Sequence, residues 1–292
     1  MGVQEAKILM PANEKFFESV EVFFSQAQKI KIRANNVRQY VEGIIDLLLK
    51  DKIISAMGKK DDYNGLSMKK KLKILEGHYD KKITQDIRKV FEVGGKGSHF
   101  SGKVEPDELN EILHIAIHIV EEIFVKYFTE PEHRFGTENI FTIFSMLPLK
   151  HRIYILERLL QVYINNDILD RLSLAYVKNG DKEKAVRLLT RYRGKHIEED
   201  FFQAQIEKIN RMEMYVDSVH ALNRTYGDSP KYMKAIARDG YIIVGLPSSN
   251  DIFDTQKAVE TFRGWLEDDK EKYPEFINLF MYLMITDDRI YQ

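Results

Sequence analysis

Residues 106–128 read PDELNEILHIAIHIVEEIFVKYF, and this stretch decides the fold class. Pro106 occupies a position where a helix start tolerates proline, and the acidic residues beside it suit the positive end of a helix dipole. The apolar residues recur at spacings of three and four, which is the period of an amphipathic helix. They are Leu109, Ile112, Leu113, Ala116, Ile119, Val120 and Ile123. The stretch therefore predicts a long helix that ends near Phe128.

The same periodicity extends in both directions, so the sequence predicts an all-α protein. The other predicted helices are 14–30, 33–49, 67–75, 81–93, 138–146, 149–164, 168–178, 181–193, 198–226, 255–267 and 273–284. The segment 241–244 is expected to be a short strand, a buried extended segment or a short helix. Pro131 and Gly136 mark the best domain boundary, which predicts domains at 1–130 and 137–292.

Composition narrows the class of protein. The 44 basic and 45 acidic residues give a net charge of −1, which argues against a strongly basic nucleic-acid coat protein. There is no cysteine, so disulfides, thiolate metal sites and cysteine nucleophiles are excluded. No apolar run is long enough to cross a membrane, and no apolar signal core begins the chain. We therefore expect a cytoplasmic protein with no membrane contact.

A glycine-rich segment precedes the long helix. Gly94, Gly95, Gly97 and Gly102 are expected to end the preceding helix and to form a loop around His99. The same segment faintly resembles a phosphate-binding loop. It lacks the residue spacing of that motif and the strand that precedes it, so nucleotide binding is not expected.

The first 130 residues resemble the HEPN superfamily, in particular its short bacterial domains of unknown function. Arg38 and Glu42 match an Arg-x-x-x-Glu on an early helix of that family, and Gly97, Ser98 and His99 match its loop before the last long helix. The resemblance implies a helical bundle that dimerises through this half of the chain. In active members an Arg and a His meet their symmetry mates in a cleft and cleave RNA without a metal.

The resemblance makes His99 the candidate general base and Arg88 the candidate cation for a charged phosphorane. The family spacing between the two residues is four to six, and no Arg stands there in this chain. Arg88 reaches His99 only if the intervening segment loops out. Lys96 is a candidate RNA-binding residue that would partly replace the Arg as a charge facing the phosphate. The alternative is that His99 only caps or braces the long helix predicted at 106–128. No metal and no cofactor are expected.

Three other patterns have weaker functional interpretations. Lys69, Lys70 and Lys71 could contact RNA phosphates or simply form a solvated helix face. His114 and His118 have the spacing of a zinc-binding pair, but a polar stripe facing solvent or a second protomer is favoured. A literal Arg-x4-His at Arg191 and His196 is expected once by chance in this composition.

Residues 169–189 read LDRLSLAYVKNGDKEKAVRLL and resemble a tetratricopeptide-type helical hairpin. Ala175 and Ala185 would allow close helix packing, while Gly180 ends one helix and Asp181 caps the next. An ordinary antiparallel helix pair is an equal alternative. In either case this half is expected to bind a partner protein.

Three functions remain open. The first is an effector ribonuclease of a bacterial defence or toxin system, acting through a dimeric cleft. The second is a catalytically inactive adaptor that dimerises and binds a partner protein. The third is a nucleic-acid-binding subunit that relies on the lysine helix.

Overall fold

The computed structural model describes residues 17–58, 63–99, 102–133, 140–145, 147, 149–226 and 273–284. Its α-helices in chain order are α1 (Phe17–Phe24), α2 (Ile30–Leu48), α3 (Lys50–Met57), α4 (Met68–His78), α5 (Lys81–Ser98), α6 (Pro106–Thr129), α7 (Ile140–Phe144), α8 (Leu149–Val162), α9 (Asn166–Lys178), α10 (Lys182–Tyr192), α11 (Glu199–Tyr226) and α12 (Pro274–Met284).

The all-α prediction is confirmed, because the described residues contain no strand beyond an isolated bridge between Arg193 and Ile197. None of their helices is both long and apolar enough to traverse a bilayer. The predicted helix at 255–267 and the segment 241–244 lie outside the described residues.

The chain forms two compact units. The first contains the described residues up to Lys126 together with those from Glu275 onward, and the second contains the described residues between Tyr127 and Pro274. The domain boundary predicted from the sequence puts 137–292 in one domain, whereas α12 from Glu275 onward packs within the first unit.

The glycine-rich segment is helical, so the prediction that the glycines break the helix after residue 93 is wrong. Helix α5 continues to Ser98. A Cβ on Gly97 would lie 2.4 Å from the carbonyl oxygen of Lys31, and one on Gly94 would lie 2.5 Å from the Cβ of Arg38. The missing side chains therefore let α5 pack directly against the backbone of α2, which compensates for the low helix propensity of glycine.

Helix α12 completes the core of the first unit. The ring of Phe276 contacts that of Phe124 edge-on, with centroids 5.6 Å apart. The buried hydroxyl of Tyr282 donates to that of Tyr40 at 3.0 Å. At the edge, Glu275 forms a 2.8 Å ion pair with Lys52.

Helix α9 lies at the centre of the second unit and packs against α8, α10 and α11. Residues 172–177 are all buried, so the helix is enclosed over more than a full turn. The predicted turn after it is confirmed: Gly180 has φ +83°, and the Asp181 side chain accepts a 2.9 Å hydrogen bond from the N–H of Lys184. The N–H of Asp181 also closes the helix end by donating to the carbonyl of Tyr176 at 2.9 Å.

Candidate functional site

His99 lies immediately after the last residue of α5, and its side chain is exposed. Its carbonyl accepts hydrogen bonds from the Lys31 ammonium at 3.3 Å and from the N–H of Gly102 at 3.1 Å. The backbone at His99 is thus tied to α2 while the imidazole faces solvent. This arrangement leaves the imidazole accessible for proton transfer.

Arg88 is not brought to His99 within one chain. The two residues are joined by continuous helix, and eleven residues of helical rise separate them by about 16 Å along the axis. The Arg88 guanidinium instead forms an ion pair with Glu76 of α4. The looped-out segment that would join Arg88 to His99 is absent from the described residues, because α5 has no interruption there.

Lys96 connects α5 to the start of α6. Its ammonium lies 2.5 Å from one oxygen of Glu108, whose other oxygen accepts a 3.1 Å hydrogen bond from the N–H of Glu105. The hydrogen bond from Lys96, followed by that from the Glu105 backbone, lowers the pKa of the Glu108 carboxyl. Lys96 therefore already has an anionic partner, although about half of its side chain remains exposed.

The three candidate RNA-contacting lysines have different environments. Lys69 and Lys70 are exposed on α4, but Lys71 is 7% exposed. The Lys71 ammonium lies 2.7 Å from Asp46 and 4.0 Å from the centre of the Tyr63 ring. Burial, followed by the hydrogen bond to Asp46, raises the pKa of the Tyr63 hydroxyl. Lys71 therefore holds α4 to α2 and is not positioned to contact a phosphate.

The histidine pair on α6 adjoins a buried carboxylate. The rings of His114 and His118 lie 4.7 Å apart, and Nδ1 of His118 lies 2.5 Å from Glu121, which is 3% exposed. Partial burial, followed by the nearby His118, lowers the pKa of His114. Glu121 therefore orients His118, while desolvation favours the neutral form of His114.

One cluster of described residues has a geometry that could hold a metal ion. Ligand atoms of Glu130, Glu132 and His133 all lie within 4.8 Å of one another. The His133 ring stacks on Tyr127 with centroids 4.1 Å apart. Glu132 is exposed and the other two are half-buried, and exposed carboxylates often lie together without a metal. Proximity alone therefore does not assign a metal site here.

Arg191 and His196 form the Arg-x4-His pair that this composition predicts once by chance. Both are exposed, Arg191 in the last turn of α10 and His196 just beyond its end. The His196 ring contacts Tyr192 with centroids 5.8 Å apart. Only the structure shows that His196 belongs to a tight turn directly after the helix that contains Arg191, because the turn depends on converging backbone hydrogen bonds.

A comparison with protein-family models, curated proteins and solved structures finds no match to the chain.

Proposed function

We propose that the chain is a helical adaptor that binds a partner protein through the α9–α10 hairpin and performs no catalysis. The observation that carries this proposal is the engagement of Arg88 by Glu76, three turns of helix away from His99. A hydrolytic centre needs its base and its phosphate-stabilising cation within reach of one phosphate.

The roles of the other predicted residues support the same proposal. Gly94 and Gly97 serve helix packing, Lys71 pairs with Asp46 of a neighbouring helix, and Lys96 tethers two helices. The hairpin, in contrast, has a buried apolar core and a charged exposed face on α10. A cytoplasmic location and a homodimer formed through the N-terminal half remain part of the proposal, the dimer resting on the family resemblance.

Site-specific photo-crosslinking tests the adaptor function. A photoreactive benzoylphenylalanine is placed at Thr190, which is exposed on α10, and in a matched control at Gln85, which is exposed on α5. We expect Thr190 to give one discrete adduct in source-cell extract, identified by mass spectrometry and reproduced with the purified partner. The absence of that adduct, or the same adduct from Gln85, would count against the adaptor proposal.

A second candidate function is metal-independent RNA cleavage by a defence or toxin effector. The exposed imidazole of His99, a residue whose backbone carbonyl accepts a hydrogen bond from Lys31, favours it. Arg88 is 55% exposed, so its guanidinium is accessible to the His99 of a second protomer. RNA cleavage by the wild type that is lost in His99→Ala would establish this function.

A further inference from the structure

The exposed face of α10 carries cations at helical spacing. Lys184, Arg187 and Arg191 follow one another at intervals of three and four residues, so they share one side of the helix. The first two have acidic neighbours: Lys184 lies 2.7 Å from Glu157, and Arg187 lies 3.2 Å from Glu183. Arg191 is the last of these three cations and lies in the final turn of α10.

The turn after α10 is held by its own backbone. The N–H groups of Lys195, His196 and Ile197 all donate to the carbonyl of Tyr192, at 3.2, 3.0 and 3.3 Å. Gly194 adopts φ +70°, which favours glycine. Ile197 is 3% exposed and anchors the turn in the core. Lys195 and His196 are therefore displayed on a backbone that is ordered before any ligand binds.

Among the described residues, neither Arg191 nor Lys195 forms an ion pair with a carboxylate. Arg193, which lies between them, makes a bidentate pair with Glu199 at 2.8 and 2.6 Å and covers the ring of Phe202. The positive charge of Arg193 is thus neutralised while the charges on either side of it are not. We call Arg191, Lys195 and His196 the basic corner.

We propose that the basic corner binds an acidic peptide segment of the partner protein. This proposal rests on the adaptor function and names the chemistry that the hairpin recognises. Arg191 offers a planar guanidinium that can take a carboxylate in two hydrogen bonds, and the Lys195 ammonium supplies a second point of positive charge. The ordered turn reduces the conformational entropy that binding would otherwise cost.

The residues after the corner favour a short acidic peptide over a nucleic acid. Glu198, Glu199 and Asp200 follow it directly, and all three are exposed. A polynucleotide carries a charge at every nucleotide, so these carboxylates would repel the phosphates next to the one that the corner binds. A peptide can place one or two carboxylates on the corner and continue with neutral residues.

Fluorescence anisotropy with a labelled peptide of sequence Gly-Ser-Glu-Glu-Ser-Gly, which carries two adjacent carboxylates between neutral residues, tests the proposal on the full chain. The test variant is Arg191→Glu/Lys195→Glu, and the matched control is Lys29→Glu/Lys81→Glu, which reverses two exposed charges in the other unit. We expect the wild type and the control to bind at about 50 mM salt, and the test variant to bind at least about tenfold more weakly. Thermal unfolding of both variants should stay close to that of the wild type.

Three results would overturn the proposal: no binding of the Glu-Glu peptide by the wild type, equal weakening in both variants, or tighter binding of a single-stranded oligouridine of equal charge. The adaptor function fails separately. If the Thr190 crosslink forms and persists in Arg191→Glu/Lys195→Glu, the adaptor stands and the basic corner is not its recognition site.

Discussion

Gly97 and Gly95 lie two residues apart in α5 and have opposite surroundings. A side chain on Gly97 would collide with the backbone of α2, whereas a Cβ on Gly95 would meet nothing within 4 Å. The sequence shows both as glycines in one run. It does not show which of them faces another helix, because that depends on the rotation of α5 against a helix some 60 residues earlier.

We expect Gly97→Ala to lower the free energy of unfolding by about 1–3 kcal/mol, because the backbone of α2 must move to admit the methyl group. Gly95→Ala is the matched control and should be neutral or stabilising by up to about 1 kcal/mol, because alanine has the higher helix propensity. Urea unfolding measures both. Equal effects of the two substitutions would contradict the close approach of α5 to α2.

His114 predicts a pH dependence of stability. Burial, the nearby His118 and Lys82 lower its pKa in the folded state below the ordinary value of 6.5, although Asp86 and Glu121 oppose the shift. The unfolded chain therefore binds more protons at this site, so the stabilising contribution is present above about pH 6.5 and is lost as the pH falls.

Urea unfolding at neutral pH and near pH 5 tests this dependence in the wild type and in His114→Gln. The glutamine side chain does not titrate, so the variant should lose less stability on acidification than the wild type. Identical losses of stability in the two proteins would show that protonation of His114 does not destabilise the fold.

At the scale of elements, local signals made the α9–α10 turn predictable. The Asn-Gly-Asp sequence contains both the residue that ends one helix and the residue that caps the next. The packing of α12 had no such signal. Its partners Tyr40 and Phe124 are remote in sequence, and an apolar helix pattern does not identify the surface that it covers.

Phe276→Ala should therefore weaken the first unit, since it removes a fully buried ring and costs about 3–5 kcal/mol. Amide hydrogen exchange should become faster in α2 and α6 and stay unchanged in α9 and α10. Tyr282→Phe, which removes only the hydroxyl that bonds Tyr40, should cost about 1 kcal/mol. Unchanged exchange in α2 and α6 after Phe276→Ala would remove α12 from this core.

At the scale of the whole molecule, the helical class was predictable because the apolar period persists along the chain. Whether Arg88 and His99 come together was not predictable, because this depends on whether the glycine-rich stretch between them forms a loop or a helix. The structure makes it a helix, and this one difference separates Arg88 from His99.

An RNA cleavage assay decides between the adaptor and the ribonuclease. Purified full-length wild type, His99→Ala and Arg88→Ala are incubated with labelled single-stranded RNA in the presence of a metal chelator. An adaptor without catalytic activity should show no cleavage by the wild type beyond that of either variant. Chelator-resistant cleavage by the wild type that disappears in His99→Ala, at an unchanged melting temperature, would contradict it and establish the ribonuclease.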